Sequence, residues 1–279
     1  MRADWEHCEA LVRASDKDRY LTALFLPSAA RPHALALFAF NLEISAIRER
    51  ARDPLAGDVR LQWWRDALAG RAAGGTAANP VANALIATIE RYRLPAAAFE
   101  RLIEAREFDL YDDPMPSTAA FDAYLRLTSS SLFELVGEMI GGEGPALASA
   151  AGHAGLAYGI TGLLRALPLH ASRGQIYLPA DVLIRHRVDP QTILDGRTSS
   201  QLLNALKELR EKAREHHKEL DRLLATLPRH VQPAFQPLVL ASGYLALMDR
   251  RGYDPFRTPI EISQLRRQWR LWRAARRAP

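Results

Sequence analysis

A short segment of the chain concentrates acidic side chains of the kind that bind metal ions. Several of these acids lie three or four residues apart, so on a helix they would share one face. Carboxylate oxygens grouped in this way suit a hard divalent cation. Acids on the solvated face of a helix are nevertheless far commoner than metal ligands, and that interpretation is favoured. The acids in question are Glu104, Glu107, Asp109, Asp112 and Asp113.

Histidine is the side chain whose charge changes most readily near neutral pH, and three histidines stand out. His170 follows an apolar segment with no cysteine or second histidine nearby, so a buried structural role is favoured over a ligand or a general base. His216 and His217 lie in the charged run 207–222. That run mixes both signs of charge, which is typical of a solvated helix face and does not predict a nucleic-acid partner.

The segment 264–279 differs in composition from the rest of the chain, because it interleaves arginines with tryptophans. Tryptophan rings favour the boundary of a bilayer and arginines there meet lipid phosphates, so an anionic membrane surface is one predicted partner. Docking to another macromolecule would use the same chemistry. The alternative is a final helix that packs on the protein through Leu265, Trp269 and Trp272, and the sequence leaves both open.

The composition sets limits on the class of protein. The chain has 279 residues and a net charge of +5, which is modest for this length. Its single cysteine, Cys8, excludes a disulfide framework and a cysteine-rich zinc site, and so favours a reducing compartment. The first residues include acids and lack an apolar run, unlike a secretion or transit signal. We therefore expect a cytoplasmic protein, with peripheral association at the inner membrane through the basic tail.

Apolar residues recur at three- and four-residue spacing, as at Leu202, Leu206 and Leu209, while sustained two-residue alternation is missing. This pattern predicts an all-α fold. Proline and glycine clusters divide the chain into about ten helices, with one break expected at Pro168. No long low-complexity linker interrupts the sequence, so we predict a single domain over residues 1–279, with the basic tail beginning at residue 264.

Two segments are apolar on more than one face and are expected to form central helices. They are Arg31–Arg50 and Gly152–Leu167. A helix of this kind is surrounded by other helices. Two of them that face each other across a bundle can shape a ligand pocket between them.

Three sequence blocks, taken together with their order, carry a resemblance to a known family. The blocks are residues 20–27 with Arg31 and 38–40, residues 61–66, and residues 164–165 followed by 173–179. They resemble squalene and phytoene synthases, which are helical enzymes of the isoprenoid synthase type that join two prenyl diphosphates head to head. In that family, Asp-x-x-x-Asp pairs on two facing helices hold magnesium ions that grip the diphosphates.

The positions that match those aspartates carry other residues in this chain. The first pair corresponds to Ser45 and Glu49, and the second pair to Ala166 and His170. Alanine offers no ligand, serine offers a weak neutral one, and histidine prefers softer metals than magnesium. The resemblance therefore predicts a protein that lacks the family's reaction and holds no metal or other cofactor. Phe133 is also expected to fill space that a prenyl chain would use.

Other positions keep the family's pattern. By this resemblance, Arg31, Arg165 and Arg173 could still bind a diphosphate or another anion, because a guanidinium group binds phosphate oxygens in a bidentate manner. Tyr177 would line the same site. The alternative is that the arginines form ion pairs that hold the bundle together and that the tyrosine packs in the core.

Local features are closer to one branch of the family, the complex I assembly factors. They are residues 40–44, 60–64, 104–107 and 164–170, and the stretch 269–273. This resemblance implies a non-catalytic helper in NADH dehydrogenase assembly that binds a protein partner. Two alternatives stay open. One is a transferase that uses magnesium to condense prenyl diphosphates, and the other is a carrier that keeps an isoprenoid or lipid in the old pocket.

Overall fold

The computed structural model describes residues 2–72 and 75–277, so residues 1, 73, 74, 278 and 279 of the predicted domain and tail lie outside the described residues. Over the described ranges every regular element is helical, which confirms the predicted all-α class. The α-helices in these ranges number fifteen. The expectation of about ten was too low, because short breaks divide segments that were expected to be continuous.

In chain order the helices are α1 (Arg2–Ser15), α2 (Lys17–Ala23), α3 (Arg31–Ser45), α4 (Ile47–Arg50), α5 (Pro54–Leu68), α6 (Pro80–Tyr92), α7 (Ala96–Ala105), α8 (Thr118–Leu125), α9 (Ser131–Met139), α10 (Gly144–Ser172), α11 (Ala180–Arg185), α12 (Pro190–Leu194), α13 (Ser200–Leu224), α14 (Pro237–Met248) and α15 (Gln264–Arg277). Two 3₁₀ segments, Arg106–Leu110 and Arg229–Phe235, and a π-helical turn, Arg126–Ser130, lie between them. Within the described part of the chain, no helix combines the length and the apolar character needed to span a bilayer.

Many helices begin where a short polar side chain can cap them. At each of these positions a side-chain oxygen accepts a hydrogen bond from a backbone N–H in the first turn, which has no partner inside the helix. Proline often follows at the first helical position, where its missing N–H costs nothing. The capping residues are Asp16, Asp53, Asn79, Ser117, Asp189 and Ser199.

The first predicted central helix is present as α3, with residues 34–41 buried without interruption. Phe40 is fully buried and packs against the rings of Trp64 and Phe99, with centroid separations of 5.0 and 5.9 Å. The expected single helix to Arg50 is instead divided after Ser45, and the short α4 follows. This division places Glu49 on a separate turn from the core of α3.

The second predicted central helix is α10, which packs against α9, α13 and α14. It spans 29 residues and continues through Pro168, so of the two expected effects of this proline, an end or a kink of the helix, the end does not occur. Proline removes a single backbone donor from the helix. Leu167 and Ala171 are buried on either side, and their packing offsets that loss. The last turn therefore carries His170 beyond the proline.

α10 also joins the two hydrophobic clusters of the described chain. Side chains of its first half, such as Leu147 and Ala154, belong to the cluster that also contains residues of α1, α3, α6 and α9. Its second half, including Ile160 and Leu164, packs with α8, α13 and α14. A single long helix thus fixes the two clusters relative to each other.

The π-helical turn approaches α10 at backbone distance. The Ser130 Oγ donates a hydrogen bond to the Gly152 carbonyl at 3.1 Å. A Cβ atom on Gly155 would lie 2.2 Å from the Ser130 Cα, so only glycine fits at this crossing. Glycine here allows the two backbones to touch.

The last helix, α15, packs on the bundle through Leu271, which is 1% exposed, and through Arg267, whose Nε lies 2.7 Å from the Asp18 carboxylate. The alternative of packing through three large apolar side chains was wrong. Those side chains point outward and are exposed, Leu265 at 80%, Trp269 at 54% and Trp272 at 50%. The buried carboxylate of Asp18 needs a cation, and an inward-facing Arg267 supplies it.

We predict that Gly155→Ala lowers the free energy of unfolding by about 1–3 kcal/mol, because the added methyl group forces α10 away from the π-helical turn. Gly162→Ala is the matched control on the same helix, since a Cβ there meets no atom within 4 Å. That change should raise stability by up to ~1 kcal/mol through helix propensity alone. Urea unfolding of both variants measures the difference. Equal effects at the two positions would show that the crossing is not close.

Candidate functional site

A small cavity of about 190 Å³ lies where the end of α3 and α4 meet the last turns of α10. Three of the four positions predicted to replace the family's aspartates, Ser45, Glu49 and His170, line it together. Ala166 belongs to the same helix as His170 but is not among the lining residues. The remaining lining residues are Arg48, Arg106, Asp109, Tyr124, Leu163, Arg173, Gln175 and Tyr177.

An ion pair joins the two sides of this cavity. The carboxylate of Glu49 on α4 binds the guanidinium of Arg173, which directly follows α10. The pair connects residues 124 apart in sequence, and both side chains are partly exposed. The Ser45 Oγ donates to the Leu42 carbonyl at 3.1 Å within its own helix. Glu49, the one acid among the four positions that the resemblance predicts to replace the family's aspartates, is therefore bound to a cation of the same chain.

A second acid, Asp109, lies at the buried end of the cavity and is 5% exposed. Its Oδ1 accepts hydrogen bonds from the hydroxyls of Tyr124 and Tyr177, both at 2.8 Å. Its Oδ2 lies 2.9 Å from the Arg106 guanidinium. Gln175 donates to the Asp109 main-chain carbonyl at 3.1 Å. One carboxylate thus ties a 3₁₀ segment, α8 and the segment after α10 to each other.

The two phenols of this network stay protonated. Burial raises the pKa of Tyr124 and of Tyr177, and the neighbouring Asp109 carboxylate raises the pKa of each phenol further. A protonated phenol can donate to the carboxylate but has no negative charge to offer a cation. Arg106 is the only arginine in this network within the described chain, and sequence reasoning missed it. Its i, i+3 spacing from Asp109 was the available signal.

His170 packs against the ring of Tyr177 with a centroid separation of 4.6 Å. Burial lowers the pKa of this histidine from 6.5 to about 4, while the Asp109 carboxylate opposes that shift and Arg173 adds to it. The imidazole is therefore neutral at physiological pH. A neutral, ring-packed imidazole matches the buried structural role that the sequence favours.

The three arginines that could bind an anion each contact a different group of the chain. Arg31 donates to the Leu24 carbonyl at 3.0 Å, and Arg173 binds Glu49. Arg165 lies 3.6 Å from the Asp18 carboxylate, and its guanidinium stacks 3.6 Å above the Tyr244 ring centroid. Each arginine has a partner within the chain, while anion binding at these residues stays a prediction.

Asp18 is the centre of a second buried polar cluster, which sequence reasoning missed. Besides Arg165 and Arg267, it accepts a hydrogen bond from the Tyr244 hydroxyl at 2.7 Å. These partners come from α2, α10, α14 and α15. No local spacing in the sequence relates them.

The acidic side chains of segment 104–113 differ in their surroundings, since two bind different arginines and two are exposed to solvent. Glu107 binds Arg65, and Asp112 lies 3.1 Å from Arg48. Glu104 and Asp113 are exposed to solvent. In the described residues, no three histidine, cysteine, aspartate or glutamate side chains are placed so that they could hold a metal ion.

The family's chemistry uses magnesium, and the residues of this cavity do not fit a magnesium cluster. The two carboxylates, Glu49 and Asp109, are each already bound to an arginine. Ala166 has no donor atom, and a neutral imidazole such as His170 prefers softer metals. A hard cation would have to displace a guanidinium to gain a single carboxylate.

Phe133 is buried in the interface between α9, α10 and the second 3₁₀ segment. Its ring stacks on Phe235 with a centroid separation of 6.1 Å and meets Tyr158 edge-on at 5.7 Å. The ring is part of the packed core. Whether it occupies space that relatives leave for a prenyl chain stays a prediction.

Solved structures with the same arrangement of helices define the class of fold. A dehydrosqualene synthase in complex with a ligand matches with a TM-score of 0.84 at 18% identity, covering 98% of this chain and 95% of that chain. Squalene synthase HpnC from Alicyclobacillus acidocaldarius matches with a TM-score of 0.76 at 23% identity, covering 91% and 96%. These similarities show the isoprenoid synthase type of helical fold.

The squalene/phytoene synthase family model matches residues 12–273, and the chain belongs to this family. Among curated relatives, complex I assembly factor 6 of Rattus norvegicus is 30% identical over 255 residues, covering 91% of this chain and 77% of the relative. The Homo sapiens assembly factor 6 is 28% identical over the same coverage. The 15-cis-phytoene synthase of Synechocystis is 23% identical over 90% of this chain and 78% of the relative. The predicted family and its assembly-factor branch are thus confirmed as similarities.

The lowered pKa of His170 predicts a pH-dependent stability. Below pH 6.5 the unfolded chain protonates this ring, whereas the folded protein keeps it neutral down to about pH 4, so stability falls as the pH falls through that window. His170→Gln should remove up to ~1.4 kcal/mol per pH unit of that loss. Urea unfolding between pH 7 and pH 4 measures both slopes. A native slope in the His170 variant would contradict the prediction.

Proposed function

We propose that this protein is a non-catalytic member of the squalene/phytoene synthase family that assists assembly of NADH dehydrogenase at the membrane where that enzyme is built. The observation that carries the proposal is the Glu49–Arg173 ion pair across the cavity. This ion pair supports the loss of catalysis. Glu49 is the one acid among the positions predicted to replace the family's aspartates, and Arg173 of the same chain neutralises it. The similarity to assembly factor 6 supports the assembly role.

Joining prenyl diphosphates requires a diphosphate to leave, and magnesium ions stabilise the charge that develops on it. In this cavity that function would depend on carboxylates free to bind the metal. Glu49 and Asp109 are instead held by Arg173 and Arg106. An enzyme would need to break both ion pairs, Glu49–Arg173 and Asp109–Arg106, before these carboxylates could bind magnesium.

The cavity volume also favours this proposal over an isoprenoid carrier. Sites for small molecules typically enclose about 300–1,000 Å³. The cavity at Glu49 and His170 encloses about 190 Å³, and polar side chains from both sides line most of it. A chain of several isoprene units needs a longer apolar channel. This cavity is therefore too small and too polar to carry a prenyl chain, and the proposal assigns the chain a protein partner through its similarity to assembly factor 6.

We predict no turnover of farnesyl or geranylgeranyl diphosphate by the purified protein with magnesium. The assay follows diphosphate release and hydrocarbon product, with the phytoene synthase of Synechocystis as the positive control. The physical reason is that no pair of free carboxylates faces the cavity to anchor a metal. Product formation that disappears in the double variant Arg165→Ala, Arg173→Ala would overturn the proposal in favour of a transferase.

Deleting the gene should lower the amount of assembled NADH dehydrogenase, measured by native gel electrophoresis and NADH oxidation in membranes. Returning the native chain should restore both. The double variant Glu49→Gln, Arg173→Gln should restore them equally well, because no reaction depends on this pair. Normal assembly after deletion would contradict the assembly role, whereas failure of a folded double variant would contradict the non-catalytic role.

A further inference from the structure

The last helix reverses the usual arrangement of polar and apolar faces. In a soluble bundle, an amphipathic helix turns its apolar stripe toward the core. Leu265, Trp269 and Trp272 follow an i, i+4, i+7 spacing and share one face, yet all three are exposed. Arg267 and Leu271, which are among the side chains that dock α15, lie about 200° around the helix from Leu265 and Trp269 respectively. The apolar stripe therefore lies largely on the side of the helix opposite these contacts, with Trp269 at its edge beside a neighbouring groove.

The docking of α15 holds this orientation. Arg267 is nearly buried and bound to Asp18, and its guanidinium donates to the Tyr244 hydroxyl at 3.2 Å. Turning the apolar stripe inward would withdraw Arg267 from that buried carboxylate. Leaving a buried charge without its partner is strongly unfavourable. The stripe is thus fixed outward in the folded protein.

Arginines accompany the outward stripe. Arg266, Arg273 and Arg276 are exposed, and the helix has no acidic residue. The Arg273 guanidinium lies 5.1 Å from the Trp269 ring centroid, and the Arg276 guanidinium lies 4.3 Å from that of Trp272. Such contacts cover the outer rings while leaving N–H donors available to an anion. The surface offers flat apolar rings and positive charge side by side.

A groove of about 680 Å³ begins beside Trp269 and runs between α13, the second 3₁₀ segment and α14. Leu224, Phe235 and Val239 give it an apolar wall, and Arg273 also lines it. One acid, Asp221, lies in the same lining. A phospholipid has both an apolar chain and a phosphate, and this groove presents surfaces for each next to the exposed stripe.

We propose that α15 and the groove beside it form a binding surface for anionic phospholipid bilayers. The helix lies flat on the membrane, with Trp269 and Trp272 at the level of the headgroups and the three exposed arginines on lipid phosphates. This proposal deepens the proposed function, since it names the surface through which an assembly factor reaches its membrane. Vesicle binding and enzyme assembly are separate measurements, so either can fail while the other holds.

The test is co-sedimentation of the full chain with two kinds of vesicle, phosphatidylcholine alone and phosphatidylcholine with phosphatidylglycerol. Binding should be strong only to the anionic vesicles and should weaken as salt is added.

The triple variant Arg266→Gln, Arg273→Gln, Arg276→Gln should lose affinity by roughly fivefold for each arginine removed. The double variant Trp269→Ser, Trp272→Ser should lose binding even at low salt, because charge alone does not hold the helix at the boundary.

Matched controls lie on other faces of the protein. Ile184→Ser removes an exposed apolar side chain from α11, and Arg101→Gln removes an exposed arginine from α7. Both variants should bind anionic vesicles like the native chain, and circular dichroism should show the native helix content in every variant. Equal binding by the native chain and the two multiple variants would overturn the proposal. So would binding to an acidic protein or to nucleic acid with no binding to vesicles.

Discussion

The buried carboxylate of Asp109 is the interaction on which the cavity depends. A charge with this little exposure to solvent is stable only when it is paired and hydrogen-bonded. Arg106 supplies the pairing, and the hydroxyls of Tyr124 and Tyr177 supply the hydrogen bonds. Because these partners come from different segments, the same contacts that satisfy one charge also fix the wall of the cavity. The position of His170, packed on Tyr177, follows from them.

Internal ion pairs recur where the family resemblance places arginines for an anion. Arg173 is bound by Glu49, and Arg165 is bound by Asp18. At both arginines a carboxylate of the chain supplies the negative charge that, by the resemblance, a bound anion would supply. These two internal ion pairs balance the charges of Arg165 and Arg173 without a bound ligand. This internal pairing is consistent with a protein that keeps the family's helical fold and binds its partners on the outer surface.

The features that could be predicted from the sequence are those with a local cause. Helical spacing, proline breaks and the apolar central segments depend on neighbours in sequence, and the all-α class and the cores of α3 and α10 followed from them. The helix does not end at Pro168, because the packing of the buried Leu167 and Ala171 offsets one lost hydrogen bond. The outward stripe of α15 could not be predicted either, since it is set by Asp18, far away in sequence.

The contact between Asp18 and Tyr244 spans 226 residues, and Arg267 joins it from still later in the chain. Synthesis proceeds from the N-terminus, so α2 leaves the ribosome long before either partner exists. Until α14 and α15 emerge, the Asp18 carboxylate has neither its hydroxyl nor its closest cation, and it is more stable in water. The final docking of α2 therefore waits until α14 and α15 have been synthesised.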